Sequence, residues 1–241
     1  MFSVLDMFTI GVGPSSSHTV GPMVAAHAFA SSLQADHLVD RTARVKITLY
    51  GSLALTGLGH GTDRAAMAGL EGNLPATVDT DHMMHIREIC ALDDTLNLAG
   101  LKRIHFDYDR DVVFEQWKRM AAHPNGMRFQ AFDAAASLVD EQVWYSIGGG
   151  FVRKGAPEDP MIGIHERPPE GASFADADES SSTDFGVEAP YPFSSCTELV
   201  SLCREHHLSI AELVWANETA SRSGIQVRSD IDAIWRVMRA C

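Results

Sequence analysis

The chain has 241 residues, and its 45% hydrophobic content and mean hydropathy of -0.05 are typical of a globular protein that buries a substantial core. Its 32 acidic residues outnumber its 19 basic residues, and the net charge of -13 argues against nucleic acid or an anionic membrane as a partner. No apolar stretch is long enough to cross a bilayer, the start does not resemble a signal peptide, and the cysteines form no CxxC pair, so a cytoplasmic, reduced protein is expected.

The first candidate site is a loop near the N-terminus, residues 11–22, with the sequence GVGPSSSHTVGP. Glycines and prolines frame three serines, a histidine and a threonine, and an alanine-rich helical pattern follows. Serine and threonine at such a junction cap a helix, and the free N–H groups of its first turn attract an anion. The loop is therefore a candidate for holding a carboxylate or phosphate beside the imidazole of His18, although ordinary capping with a solvated histidine explains the same pattern.

Hydrophobic periodicity predicts strands that alternate with helices. Alternation of apolar residues predicts strands at 44–50, 104–108, 127–131 and 143–147. Helical patterns are predicted at 18–33, 62–70, 81–92, 112–121 and 131–140. Because the strands are apolar on one side only, the pattern predicts an α+β domain over residues 1–155, with a mixed, largely antiparallel sheet and helices packed on one face of it.

The composition changes after this predicted domain. Residues 156–192 are rich in proline and contain an acidic serine tract at 176–184, which predicts a linker or a long surface loop. Residues 193–241 then have a purely helical pattern, with capping boxes predicted at Ser195 and Ser209.

The last predicted helix carries an apolar stripe formed by Ile231, Ile234, Trp235 and Met238. The stripe continues to the end of the sequence without a glycine or proline stop, which predicts that this segment is the truncated start of a larger helical domain. An exposed stripe of this kind also predicts self-association, and a homodimer is expected.

Three further segments place polar side chains beside glycines around the predicted sheet, with the sequences GSLALTGLGHGTD at 51–63, HPNGMRF at 123–129 and YSIGGGF at 145–151. His60 stands between two glycines, where a ligand can approach its ring, and Asn125 and Arg128 supply an amide and a guanidinium. One glycine turn usually serves chain geometry alone, but four such loops around one small sheet predict a polar small-molecule site.

In this order, the four segments resemble the N-terminal (beta) domain of bacterial iron–sulfur L-serine dehydratase. Residues from Pro190 to Cys241 resemble the opening of the catalytic (alpha) domain of that enzyme in its single-chain form, so that the resemblance covers essentially the whole chain. It implies an allosteric-substrate-binding-like fold for the sheet domain. The sequence departs from the family at Gly126, where threonine is more frequent, and this difference predicts a looser turn or a lost ligand contact.

The resemblance implies a lyase that converts L-serine to pyruvate and ammonia, with a [4Fe-4S] cluster acting as a Lewis acid. It implies His60 as the base that removes the α-proton. The residues that would bind and orient the carboxylate and amine of the substrate are Ser15, Ser16, Ser17, His18, Thr19, Asn125 and Arg128. The cluster ligands of the family belong to the later catalytic domain, so that no cluster is expected on this chain and the chain alone is expected to be inactive without that partner domain.

The cysteines themselves do not indicate a cluster site. Cys196 and Cys203 are seven residues apart and share one face of a predicted helix, and their spacing lacks the close grouping of many cluster-binding loops. Together with Cys241, they are expected to be buried core thiols, and no metal site is predicted on the chain.

Two other classes of function stay open at this point. The sheet domain could be a regulatory module that binds serine or a related small carboxylate, by analogy with the allosteric domain of some phosphoglycerate dehydrogenases. The stripe around Trp235 could instead serve a docking protein. A serine hydrolase that uses Ser17 and His18 is not expected, because the side chains of adjacent residues point apart.

Overall fold

A computed structural model describes residues 3–8, 10–169 and 189–240. The chain divides into two compact units: Gly11–Asp176, here called the sheet unit, and Met1–Ile10 together with Ala177–Cys241, here called the helical unit. The N-terminal residues, expected in the sheet domain, thus group with the C-terminal segment. The predicted acidic tract, like Cys241, lies outside the described residues.

The sheet unit begins with a π-helical turn at Ser16–Val20. The helices in its described part are α1 (Gly21–Ala35), α2 (Gly51–His60), α3 (Thr62–Leu70), α4 (Thr80–Ala91) and α5 (Tyr108–Asp111). The strands are β1 (Arg44–Tyr50), β2 (Thr95–Leu98), β3 (Lys102–His105), β4 (Val112–Glu115), β5 (Lys118–Met120), β6 (Gly126–Phe132), β7 (Leu138–Gly148), β8 (Phe151–Gly155) and β9 (Met161–Gly163).

The main sheet has the strand order β2-β3-β1-β6-β7-β8, and β4 also pairs with β1. Strand β1 is parallel to β3 and β4, whereas its pairing with β6 and the pairings β2–β3, β6–β7 and β7–β8 are antiparallel. Strands β5 and β9 form a separate antiparallel pair. The predicted fold class, a mixed and largely antiparallel sheet with helices, is confirmed.

Helices α1 and α3 cover one face of the sheet because the alternate residues of β1 and β6 on that face are apolar. Val45, Ile47 and Leu49 are fully buried there, and the ring of Phe29 on α1 stacks on Phe129 of β6 with their centroids 5.5 Å apart. A second, smaller apolar cluster packs against the opposite face, formed by Tyr50, Met120, Val143 and Tyr145. The end of β1 is therefore buried on both faces, which the sequence pattern did not predict.

Several predicted elements are wrong. The helices predicted at 112–121 and 131–140 are strands β4 and β5 and the turn between β6 and β7, because pairing with distant partners such as β1 overrides local helical periodicity. The segment 51–63, predicted as a loop, forms α2 despite its glycines. Strand β3 ends at His105, and part of the predicted linker, Met161–Gly163, is β9.

The helical unit contains, within its described residues, α6 (Cys196–Glu205), α7 (Ile210–Ser221) and α8 (Gly224–Ala240). The capping box at Ser209 is present with both reciprocal bonds. At α6, Ser195 caps the helix, and the Glu198 carboxylate accepts from the N–H and the hydroxyl of Ser194. No helix among the described residues combines the length and the apolar composition that a membrane span requires.

The N-terminal segment of the helical unit is held by a buried carboxylate on α7. Glu218 accepts a hydrogen bond from the Ser3 hydroxyl and another from the Val4 backbone N–H, both at 2.7 Å. The prediction of buried thiols is wrong for Cys196, which is exposed at the start of α6, and Cys203 is only half-buried.

Candidate functional site

The candidate site is built on the π-helical turn that precedes α1. The Ser15 hydroxyl caps this turn by accepting from the backbone N–H of His18 at 3.1 Å. The carbonyl of Ser17 accepts from the hydroxyl of Ser146, a buried residue near the end of β7, at 2.7 Å. Gly21 allows this approach, because a Cβ there would collide with the Ser146 side chain. The serine-rich turn is therefore anchored to the sheet.

Both ring nitrogens of His18 have serine hydroxyl partners. Nδ1 lies 2.9 Å from Ser17 Oγ, and Nε2 lies 2.9 Å from Ser52 Oγ, on the first turn of α2. The expectation that Ser17 and His18 point apart is wrong, because the Ser17 hydroxyl lies within hydrogen-bond distance of the neighbouring ring. Sequence reasoning missed Ser52, because its segment was interpreted as a loop.

His60 is the last residue of α2 and faces His18, with the two ring centroids 5.0 Å apart. Its Nδ1 lies 2.9 Å from the carbonyl oxygen of Thr56, one turn earlier in the helix. A carbonyl only accepts, so Nδ1 must carry the proton, and in the neutral ring Nε2 then has a free lone pair. Gly61, with a φ of +62°, ends the helix directly after this residue. His60 thus has the tautomer of a general base.

Two threonines connect the histidine-bearing segments in a crossed arrangement. The Thr19 hydroxyl donates to the carbonyl of His60 at 2.8 Å, and the Thr62 hydroxyl donates to the carbonyl of His18 at 2.5 Å. Thr19 and Thr62 are both fully buried. Thr19, next to His18, therefore fixes the backbone of His60, and Thr62, near His60, fixes the backbone of His18. The spacing of the two rings is thus set by the backbone.

Burial lowers the pKa of His18, and the neighbouring His60 lowers it further, while a hydrogen bond to the backbone of Ser52 acts in the opposite direction. Two imidazoles this close cannot both be charged without repulsion. Burial also lowers the pKa of His123. His18 is therefore neutral at pH 7 and can donate from one nitrogen and accept at the other.

Asn125 connects the beginning of β6 to the end of β7. Its side-chain amide donates to the carbonyl of Ser146 at 3.1 Å, its carbonyl accepts from the Ser146 N–H at 3.0 Å, and its own N–H donates to Nδ1 of His123 at 3.1 Å. These bonds fix the position of Ser146, which anchors the serine-rich turn. Asn125 therefore supports the candidate site indirectly, by holding Ser146.

Arg128 is not brought to the two histidines by any contact of the described residues. Its guanidinium lies 3.3 Å from the Glu141 carboxylate and donates to the Pro157 carbonyl at 2.9 Å. Both partners are remote in sequence from the histidine-bearing segments. Ser16 is exposed on the π-helical turn. A role of these two residues in substrate binding stays a prediction.

Gly126 pairs with Tyr145 at the start of β6, and the space beside it is filled. A Cβ at this position would lie 2.6 Å from Cγ of Met120, which is fully buried. Met120 therefore occupies the volume that a larger side chain at this position would need, and the looser turn stays a prediction.

The described residues do not fit an iron–sulfur cluster. They contain no group of three or more histidine, cysteine, aspartate or glutamate side chains placed to hold a metal ion. Cys90 of the sheet unit is buried, and burial raises the pKa of its thiol to about 12, so that it is not a thiolate at neutral pH.

The sheet unit thus presents two facing imidazoles beside a helical turn that carries several hydroxyls. Residues 3–156 match the family model described as serine dehydratase beta chain. The chain belongs to this family, and the resemblance stated from its sequence is confirmed.

Curated relatives agree with this assignment. The chain is 42% identical to an L-serine dehydratase of Streptomyces coelicolor and 39% identical to L-serine dehydratase 2 of Escherichia coli, in each case over 99% of this chain and 48% of the relative. It is 37% identical to an L-serine dehydratase of Helicobacter pylori over 92% of this chain and 44% of the relative. The chain thus spans about half the length of the curated relatives it matches.

Proposed function

We propose that this chain supplies the substrate-binding loops and the general base of an L-serine dehydratase, which converts L-serine to pyruvate and ammonia. The observation that supports the proposal is the tautomer of the neutral His60 ring. Its Nδ1 proton is committed to the Thr56 carbonyl, which leaves Nε2 as a base beside a second, neutral imidazole. A histidine with a pKa near the working pH is suited to this task.

The roles of the residues follow from their contacts. His60 accepts the α-proton of serine at Nε2, and loss of hydroxide from the β-carbon then gives aminoacrylate, which hydrolyses to pyruvate and ammonia. The serine carboxylate binds beside the π-helical turn, where Ser15, Ser17 and His18 form a connected set of hydroxyl and imidazole groups. Thr19 shapes this pocket through its bond to the His60 carbonyl.

The proposal assigns the [4Fe-4S] cluster to the catalytic domain of the full-length enzyme, because the described residues of this chain offer no ligand set for it. It also follows that the chain is inactive alone and needs that domain as a partner. The expected homodimer is part of the same proposal.

The first test is turnover after co-expression of this chain with the C-terminal half of the Streptomyces coelicolor relative, measured as pyruvate formed from L-serine. His60→Gln is expected to lower kcat by roughly 10²- to 10⁴-fold, as for loss of a general base. His85→Gln is a matched control, because His85 lies at an exposed position of helix α4 and its Nδ1 also contacts a carbonyl four residues earlier. Equal activity of the two variants would refute the role of His60, and turnover by the isolated chain would refute its inactivity.

The second candidate function is a regulatory module that binds serine, and calorimetry on the isolated chain separates the two. Stereospecific binding of L-serine over D-serine that survives His60→Ala would favour a preformed regulatory site. Absence of binding would favour a half-site that becomes competent only beside the partner domain.

A further inference from the structure

Ser52 is placed against His18 by the backbone at the junction of β1 and α2. Gly51 has a φ of +53°, and a Cβ at Gly51 would lie 2.5 Å from the carbonyl oxygen of Pro124. The same carbonyl accepts from the N–H of Ser52 at 3.0 Å. Because both the turn and the N–H are fixed, the Ser52 hydroxyl is held at 2.9 Å from Nε2 of His18.

The partners of His18 allow one continuous direction of hydrogen bonding. A neutral imidazole donates from one nitrogen and accepts at the other. Ser15 Oγ accepts from the His18 N–H and lies 3.4 Å from Ser17 Oγ, so its own proton can go to Ser17. In this direction Ser17 donates to Nδ1, and the ring proton is on Nε2, directed at Ser52.

We propose that Ser52 is a positioning residue for His18: its oxygen accepts the Nε2 proton and holds this tautomer, and its own hydroxyl proton is left to donate to a bound anion. Apart from the bond to His18, the described residues give the Ser52 hydroxyl no other hydrogen-bond partner. The anion is the carboxylate of a small amino acid, an assignment that rests on the proposed function. The hydrogen bonds thus all run in one direction, toward the ligand. Their donors are, in order, Ser15, Ser17, His18 and Ser52.

The tautomer is tested by two-bond ¹H–¹⁵N NMR of the histidine rings in the full chain at neutral pH. The wild type is expected to show His18 protonated on Nε2. Ser52→Ala removes the acceptor, so a population protonated on Nδ1 should appear, and the pKa of His18 should fall because its cationic form loses a partner as well. Ser52→Thr should restore the wild-type spectrum, and Ser31→Ala, at an exposed position of α1, should leave it unchanged.

A wild-type His18 protonated on Nδ1, or a Ser52→Ala spectrum identical to that of the wild type, would overturn the proposal. The wild-type spectrum decides this even where the alanine variant does not fold.

The anion arm is tested in the co-expressed enzyme, where Ser52→Ala should raise KM for L-serine about tenfold, as for loss of one hydrogen bond to a charged group, with a smaller change in kcat. An unchanged KM would overturn this arm. If the co-expressed wild type has no dehydratase activity while the Nε2 tautomer is observed, the proposed function fails and the positioning role of Ser52 stands.

Discussion

The sheet unit and the helical unit bury their apolar residues to very different extents. In the sheet unit, apolar side chains fill both faces of the sheet, and the candidate site is fixed by hydrogen bonds between distant segments. In the described part of the helical unit, Leu213 and Val227 are the buried hydrophobic residues, while Ile225 is 85% exposed and Trp235 is 57% exposed. The sheet unit thus has its own extensive core, whereas caps and polar contacts, such as those of Glu218, are prominent in the described helical unit.

The largest expected effect comes from breaking a buried ion pair in the sheet unit. Asp63 is fully buried and is contacted by the guanidinium of Arg87 and by the Tyr108 hydroxyl. Arg87→Ala leaves this carboxylate without its cation, and we expect the free energy of unfolding to fall by about 3–5 kcal/mol.

The matched control is Arg103→Ala, which removes the exposed Arg103–Asp93 pair and should cost about 0–1 kcal/mol. Urea unfolding followed by circular dichroism measures both variants. Similar losses for the two variants would mean that the buried pair is not what holds α3 to α4.

A smaller loss is expected where α1 and α3 touch. A Cβ added to Gly69 would collide with the carbonyl oxygen of Met23 and lie 2.8 Å from the Cβ of Ala26. Gly69→Ala should therefore destabilise the sheet unit by about 1–3 kcal/mol. Gly59→Ala, on α2 with nothing near its added Cβ, should be neutral or stabilising by up to about 1 kcal/mol. Thermal unfolding of both variants decides whether close helix contact or glycine flexibility matters at these positions.

The smallest effect on stability, within about 0.5 kcal/mol, is expected for Trp235→Gln on the exposed face of α8. If this face mediates the proposed homodimer, sedimentation velocity should show the variant shifted toward monomer. Trp117→Gln is the control, because Trp117 is 75% exposed in the sheet unit. Dissociation by Trp117→Gln instead would place self-association on the sheet unit.

The sequence predicted those parts of the fold whose periodicity is local. Strands β1 and β6 were correctly located, because Val45, Ile47 and Leu49 alternate cleanly toward one core. Strand β4 was predicted to be helical, since its pairing with β1 is a long-range contact that no local window contains. Helix α2 was interpreted as a loop because of its glycines, although tertiary contacts stabilise it.

The same division applies to the candidate site. His18 and His60 were singled out from glycine-framed motifs, and the structure brings their rings together. Ser52 and Ser146 were missed, because an isolated serine near the end of a strand carries no signal until its partner across the fold is known. Arg128 was selected as a candidate because of its charged guanidinium. Its position in the sequence could not predict that this group lies against the Glu141 carboxylate.

The crossed bonds of Thr19 and Thr62 make the two histidine-bearing segments a single cooperative unit. Neither segment can move away without breaking both bonds, so local opening of the π-helical turn and of the α2–α3 junction is one event rather than two. Amide hydrogens on the two segments should then exchange with the same opening free energy. Because the two segments hold each other in place, the two histidines are already ordered before a substrate binds. Substrate binding then does not have to restrict their motion further.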